Sequence, residues 1–325
     1  MSDIQTLNNE HFNKTALEYD NIPNIHEMTQ RASEAILEEY TASTSEEHVR
    51  SSSVLDFGCG TGLCSFKIAP KVGKLLGVDA AEGMLNYMNH KLSTNPENAE
   101  IRDKVKTVNH LVTDDAPLPE PELSRYLSGP NGGFDMVYST FAMHHIEDVQ
   151  GIVNAISKRM LNKNGWLIIL DFDGSGPHGH HHHGHGEGHG HGEGHGHDEG
   201  HGHGEGHGHG EGREHREGHA HTHHDHHHHH GEQTKPHSHD DNHHHHHHHH
   251  HHGESQKDKD VLDLFVDENG KPLEHVAHKG GFTPERLEQM LKDAGLVDVS
   301  ARRAYGMTIH NGIWTEVIAV KGRRA

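Results

Sequence analysis

Apolar positions recur at helical spacing near the start of the chain. Phe12, Ala16 and Tyr19 lie at i, i+4 and i+7, and Ala32, Ile36 and Tyr40 continue at i+4. The first forty residues therefore read as helical, and the polar stretch 41–53 as a connector. The period then changes. VLDFGCGTG (54–62) is a short apolar run closed by an acid and a glycine-rich turn. Residues 67–92 supply a helix, a strand LLGVD and a second helix opening at Ala80. Residues 105–115 read as a third strand, 116–133 as a loop with one helical turn, and 134–141 as a fourth strand. Ile152, Ile156 and Met160 mark a helix expected to stop at Asn164–Gly165, since glycine favours the left-handed turn that ends helices. WLIILDFD (166–173) is a fifth strand, continuously apolar as a strand covered on both faces should be.

After a long polar interruption the helical signal returns. Thr283 is suited to cap a helix and Pro284 to open it; Leu287, Met290 and Leu291 form an apolar stripe, and Gly295 stops it. Residues 296–305 and 315–322 read as the last two strands. Seven strands, with helices alternating through the first five, predict an α/β fold: one domain with a doubly wound, mostly parallel sheet and an antiparallel edge strand.

Composition changes this picture at one place. Residues 178–252 hold 36 of the 46 histidines, 17 of the 38 glycines and a single aliphatic residue, Ala220. That stretch cannot bury a core, so it reads as a low-complexity, disordered insert interrupting a domain made of 1–177 and 253–325. It also accounts for much of the negative mean hydropathy of −0.88. With twelve acids against three bases it is acidic too, within a chain of formal net charge −21. An acidic chain without a basic stripe offers no electrostatic footprint for nucleic acid or anionic lipid. Imidazoles titrate near pH 6.5, so the insert turns strongly cationic below about that pH.

Two cysteines, Cys59 and Cys64, give no disulfide framework and suit a reducing compartment. No window approaches 18 apolar residues and the first residues are polar, so neither a membrane span nor a secretory signal is expected. The expectation is a cytoplasmic protein, with the nucleus left open.

The segment richest in chemistry is VLDFGCGTG. A strand running into a glycine turn and then a helix sets backbone N–H groups beside a ligand, and Gly58, Gly60 and Gly62 let the main chain approach it. The spacing is G-x-G-x-G, and Leu63 stands where a dinucleotide fingerprint wants its last glycine. Asp56 sits before the first glycine, where it repels a phosphate and suits a cationic amino acid headgroup. Asp79 ends the second strand, where a carboxylate can accept both hydroxyls of a ribose; the plainer reading is an ordinary strand-end acid. The pocket suits a nucleoside with a cationic tail and no pyrophosphate. Cys59 and Cys64 read as small packing residues, because two thiols alone lack the further ligands a metal needs.

At these residues the chain resembles the class I S-adenosylmethionine-dependent methyltransferases, within them the small-molecule enzymes of the ubiquinone and menaquinone biosynthesis type. HFNKTALEYD (11–20) resembles their N-terminal helix, VLDFGCGTG and GVDAAEGML (77–85) their first two motifs, and FDMVYSTFAMHHIED (134–148) the fourth-strand motif. RMLNKNGWLIILDF (159–172) and GGFTPERLEQMLKDAGLVDV (280–299) are similar to later segments. The resemblance covers all but the insert and implies a Rossmann-like fold with S-adenosyl-L-methionine as cofactor.

It also implies roles. Asp56 with the turn Gly58-Cys59-Gly60-Thr61-Gly62 would hold the methionine amine and carboxylate, Asp79 the ribose, and Ala80 and Met84 the adenine face. The acid meeting the adenine amine is Asp114 or Asp115. Ser139 and Phe141 would pass under the sulfonium, and Tyr19 would cover the site, though helix spacing equally makes Tyr19 a packing residue. His144 and His145 are candidate general bases, with a structural, turn-capping role as the alternative; His275 and His278 are further candidates. The acceptor is expected to be a small molecule, since YSTF (138–141) departs from the Asn-Pro-Pro-Tyr type of motif that methylates exocyclic amines of nucleic acid or glutamine side chains.

The glycine–imidazole repeats of 178–252 can bind Zn, Ni or Cu ions nonspecifically, and a long surface insert costs little closure entropy. The plain reading is a tolerated expansion. The alternative for the whole chain is a metal-binding, histidine-rich protein that uses a methyltransferase-like domain as a scaffold.

Overall fold

A computed structural model of the protein describes residues 2–128, 132–175, 264–267, 269–309 and 312–325. The histidine tract expected at 178–252 lies outside the described residues, and those on either side of it pack into one unit.

Two helices open the chain, α1 (Asp3–Thr15) and α2 (Ile25–Ser43), separated by a single-turn helix at Tyr19–Asn21. The polar connector is not structureless. Ser45 accepts the backbone N–H of His48 and starts a short helix, α3 (Glu46–Ser51). The strands follow as β1 (Ser53–Phe57), β2 (Lys74–Asp79), β3 (Val105–Asn109), β4 (Phe134–Thr140) and β5 (Leu161–Phe172). Between them lie α4 (Ser65–Ile68), α5 (Glu82–Thr94), α6 (Glu122–Leu127) and α7 (Val149–Ala155), the last continued by a wider turn over Ile156–Met160. Then come α8 (Pro284–Asp293), β6 (Val297–Thr308) and β7 (Trp314–Arg323).

The strands form one seven-stranded sheet in the order β3-β2-β1-β4-β5-β7-β6. β1 to β5 are parallel, and β7 runs antiparallel between β5 and β6. This is the expected mostly parallel, doubly wound sheet with an antiparallel edge. Alternation along each strand divides the core. Val54, Leu75, Met136 and Ile168 face α2, while Leu55, Leu76, Val137 and Leu167 face α7 and α8.

Three expectations are corrected. The third strand stops at Asn109, not at residue 115; Val112 and Leu118 are apolar because they are buried from a loop. Asn164–Gly165 does not end a helix. The strand begins at Leu161, and Asn164 takes φ +67 in an irregularity that shifts the register between Phe134 and Met136. The second helix of the 67–92 segment opens at Glu82 rather than Ala80. The late helix forms as expected: Thr283 Oγ1 accepts from the Arg286 N–H, and Gly295 takes φ +80 just after it. Among the described residues no helix is long and apolar enough to cross a membrane.

Candidate active site

The carboxyl ends of β1, β2 and β4 converge on a cavity of about 420 Å³. Its floor is the glycine turn. Gly58, Gly60 and Gly62 all have positive φ (+71, +52 and +84), a conformation that an L side chain rarely adopts. Gly58 and Cys59 donate their N–H groups to Val78 O at 2.9 and 3.2 Å, folding the turn back onto β2. A Cβ at Gly58 would meet Ala142 Cβ at 2.6 Å, and one at Gly62 the Met88 side chain at 2.7 Å. A Cβ at Gly60 would meet nothing within 4 Å, yet Gly60 lines the cavity. The open cradle is therefore at Gly60.

Asp79 closes one side. Its Oδ2 accepts from Gly60 N–H and its Oδ1 from Ala81 N–H, both at 2.8 Å. Each oxygen keeps a lone pair for a ligand hydroxyl. Burial raises its carboxyl above the ordinary range, and the N–H groups of Ala81, Gly60 and Ala80 oppose that. Ala80 and Met84 line the cavity beside it, and the loop after β3 brings Asp114, not Asp115, to the wall. Asp114 is half exposed and pairs with Arg159 at 3.2 Å.

Asp56 stands apart from this lining. It is fully buried on the other face of β1, where Oδ2 accepts from Ser65 Oγ at 2.5 Å and Tyr138 OH at 2.7 Å. Its Oδ1 is buried and has no partner. Burial pushes this carboxyl up to about 7, with Asp79 adding to the rise and the two hydroxyls opposing it. Cys59 and Gly62 also pack behind the turn, Cys59 against Gly77. Ser139 is fully buried with an unpartnered Oγ and is not among the residues lining the cavity, whereas Phe141 is.

A second, larger cavity of about 980 Å³ adjoins the first. Phe12, Tyr19, Phe141 and His145 line both. The larger space is walled by the rings of Phe172 and Phe265 and by four imidazoles, His11, His144, His145 and His275. His144 is 3% exposed and held firmly: Nδ1 contacts Asp171 Oδ1 at 2.8 Å, its N–H donates to Asp171 Oδ2 at 3.2 Å, and its ring stacks on Phe265. Its carbonyl accepts from Ala277 and His278, tying in the segment before α8. His145 is buried. Desolvation, reinforced by His144, His275 and His11, holds its pKa well below the ordinary value. Burial, followed by His11 and His144, pushes His275 down to about 4. His278 is lowered by burial and Arg286, and its buried Nε2 lacks a partner.

The sequence had not marked Gln5, Asn8 and Asn9 of α1, the loop 110–113, or Phe265 as lining residues. Phe12 and Tyr19 gave the only local signal, their shared helix face. Asp171 as the partner of His144 joins positions 27 apart and had no signal at all. Among the described residues no group of three or more His, Cys, Asp or Glu is arranged to hold a metal ion.

A family profile described as a methyltransferase domain matches residues 25–301. An uncharacterized methyltransferase of Schizosaccharomyces pombe is 32% identical over 120 residues, which is 37% of this chain and 38% of that protein. An uncharacterized methyltransferase of Mycobacterium tuberculosis is 31% identical over 119 residues, 37% of this chain and 50% of that protein. The matches thus span half or less of these relatives. Similar solved structures include an S-adenosylmethionine-dependent methyltransferase of Aquifex aeolicus, at 14% identity over 98% of both chains with a TM-score of 0.44. Another is a possible histamine N-methyltransferase of Thermotoga maritima, at 12% identity over 97% of this chain and 98% of that one, with a TM-score of 0.47.

Proposed function

The chain belongs to the methyltransferase domain family of class I S-adenosylmethionine-dependent enzymes, and from that premise we propose that it methylates a small molecule held in the larger cavity, using S-adenosyl-L-methionine held in the smaller one. The observation that carries this reading is the shared wall of Phe12, Tyr19, Phe141 and His145 between the two cavities. When bound, the cofactor supplies an electrophilic methyl on a sulfonium, open to in-line displacement.

The protein's part is alignment and dryness, and orientation alone can lower a barrier by roughly 7–11 kcal/mol. Asp79 is fixed by two backbone donors and takes the ribose hydroxyls. Gly60 gives the open approach to the amino acid end. The spare Oδ1 of Asp56 leaves it one acceptor for the amine side of the site. Ala80 and Met84 flank the adenine, and Asp114 takes its amine. Tyr19 and Phe12 roof the site, while the aromatic wall keeps water from the transfer path. An acceptor that must lose a proton meets imidazoles able to receive it: His145 is held neutral, and His144 is oriented by Asp171.

The domain is read as 1–177 with 253–325, working in the cytoplasm, where the free thiols of Cys59 and Cys64 stay reduced. A nucleic acid acceptor is disfavoured by the acidic charge and by YSTF after the fourth strand. The test is calorimetric binding of S-adenosylmethionine to the full chain and to Asp79→Ala. The wild type should bind. The variant should bind roughly 10- to 150-fold more weakly, from losing charge-assisted hydrogen bonds of about 1.5–3 kcal/mol. No binding by the wild type sinks the assignment.

A further inference from the structure

We propose that Asp20 and Lys91 are positioning residues that clasp the amino-terminal cover of the cofactor cavity to its floor. The proposal rests on the methyltransferase reading, because it assigns these residues a role toward the same cofactor.

The cover needs such a clasp. Helix α1 sends Gln5, Asn8, Asn9 and Phe12 to the smaller cavity, and Tyr19 follows them. Yet α1 buries none of its own residues. A thirteen-residue helix is marginal in water without tertiary support. Its apolar support is a small cluster of Ala16, Ala81 and Met84 with Phe12 and Tyr19 against it, together with His11 stacked on His275 and Phe12 edge-on to His145. One polar tie, Asn13 Oδ1 accepting from Gly83 N–H at 2.7 Å, joins α1 to the start of α5.

A further tie is Asp20, beside Tyr19 in the single-turn helix. Its Oδ1 accepts from Thr61 Oγ1 at 2.5 Å, inside the glycine turn. Its Oδ2 pairs with Lys91 Nζ on α5. The two side chains are only 12% and 11% exposed, so solvent screens the pair little. The ammonium also lies over the Tyr87 and Phe66 rings, at 4.9 and 5.5 Å from their centres. One carboxylate thus joins three parts of the site: the cover, the glycine turn and the helix after Asp79. Neither Asp20 nor Lys91 lines either cavity, so their effect on a ligand passes through Tyr19 and Thr61. Removing one partner leaves the other as a poorly solvated charge, which favours an opened cover that wets it. Burial lowers the Lys91 pKa and Asp20 opposes that, as a pair formed against desolvation requires.

The experiment measures dissociation of S-adenosylhomocysteine from the full chain by stopped-flow displacement, for wild type, Asp20→Asn, Lys91→Met, the double variant and Thr61→Val. Each single change at 20 or 91 should speed dissociation at least tenfold. The double variant should be no faster than the quicker single, because both remove one contact. Amide exchange across residues 3–21 should accelerate in the same variants, and Thr61→Val, which keeps the side-chain shape, should show a smaller increase in both. A purely structural pair would lower the melting temperature and leave dissociation within twofold of wild type, and that result overturns the clasp. Thr61→Val decides the matter should the charge variants not fold: unchanged dissociation and unchanged exchange in it also overturn the proposal. Failure of the wild type to bind S-adenosylhomocysteine overturns the methyltransferase reading itself, and is distinct from a wild type that binds beside variants that do not differ.

Discussion

Gly60 and Gly295 make a matched pair for testing where the cofactor lies. Both have positive φ, +52 and +80, and at both a Cβ would meet nothing within 4 Å. Alanine at either position must adopt the left-handed conformation, which costs an L-residue about 1–2 kcal/mol. Unfolding by urea should therefore report a similar loss of stability for Gly60→Ala and Gly295→Ala. Only Gly60 lines the smaller cavity, so the empty space around its Cβ is the space proposed for the ligand. A methyl group forced into ligand volume costs about 1–3 kcal/mol, by analogy with overpacked cores. That converts to roughly 5- to 150-fold weaker binding of S-adenosylmethionine by calorimetry. Gly295→Ala, at the end of α8, should bind as the wild type does. Equal affinities in the two variants, both folded, would refute the placement of the cofactor against the turn. Gly58→Ala cannot serve in this comparison, because its Cβ collides with Ala142 and the loss would be one of folding.

Two further outcomes are expected. Burial raises the Asp56 carboxyl from the ordinary 3.8 to about 7, so the folded protein keeps a proton there that the unfolded chain has lost. Its contribution to stability is full below the unfolded value and falls as pH rises through 7. Asp56→Asn removes that slope, so the stability of variant relative to wild type should climb between pH 5 and pH 8, by at most about 3 kcal/mol. An unchanged difference at the two pH values in denaturant titrations counts against the buried carboxyl. Second, zinc titrated into the full chain should bind on the order of micromolar to millimolar through the imidazoles of 178–252, and a chain lacking those residues should not; retained binding after deletion refutes this.

The fold was legible because its signals are local. The run VLDFG followed by spaced glycines, the acid ending LLGVD, and Thr283-Pro284 with Gly295 each dictate a backbone shape from neighbours within a few residues. The errors share a cause. Val112 looks like a strand residue but is apolar because a loop carries it into the core. Asn164–Gly165 looks like a helix stop, and the same left-handed preference was spent on a strand irregularity instead. Alternation along β1 sets Asp56 with Val54, on the face that carries Tyr138, but nothing local in the sequence marks Ser65 and Tyr138 as its partners. The pairings His144–Asp171 and Asp20–Lys91 join separate elements, and no periodicity in the chain encodes them.

Phe141 shows how the wall between the cavities is held. It has φ +54, an unusual conformation for a bulky residue, and it follows β4 where the chain turns toward His144. That conformation costs about 1–2 kcal/mol and persists only where the surroundings over-determine it. Here its N–H donates to Leu170 O at 2.9 Å, and its ring stacks on Phe172 with centres 4.9 Å apart. The residue is 8% exposed, and removing a buried phenyl ring typically costs about 3–5 kcal/mol, more than the strain. The ring therefore sets the backbone, and the strained backbone keeps the ring between the two cavities. The strain at 141 inverts a common order of stability. Phe141→Ala loses the ring and keeps the strain, whereas Phe141→Gly loses the ring and sheds the strain. The glycine variant should be the more stable by about 1–2 kcal/mol in urea unfolding, although alanine is ordinarily the better residue next to a strand. An alanine variant as stable as the glycine one would mean that the backbone at 141 relaxes once the ring is gone. The wall would then be held by Phe12, Tyr19 and His145 alone.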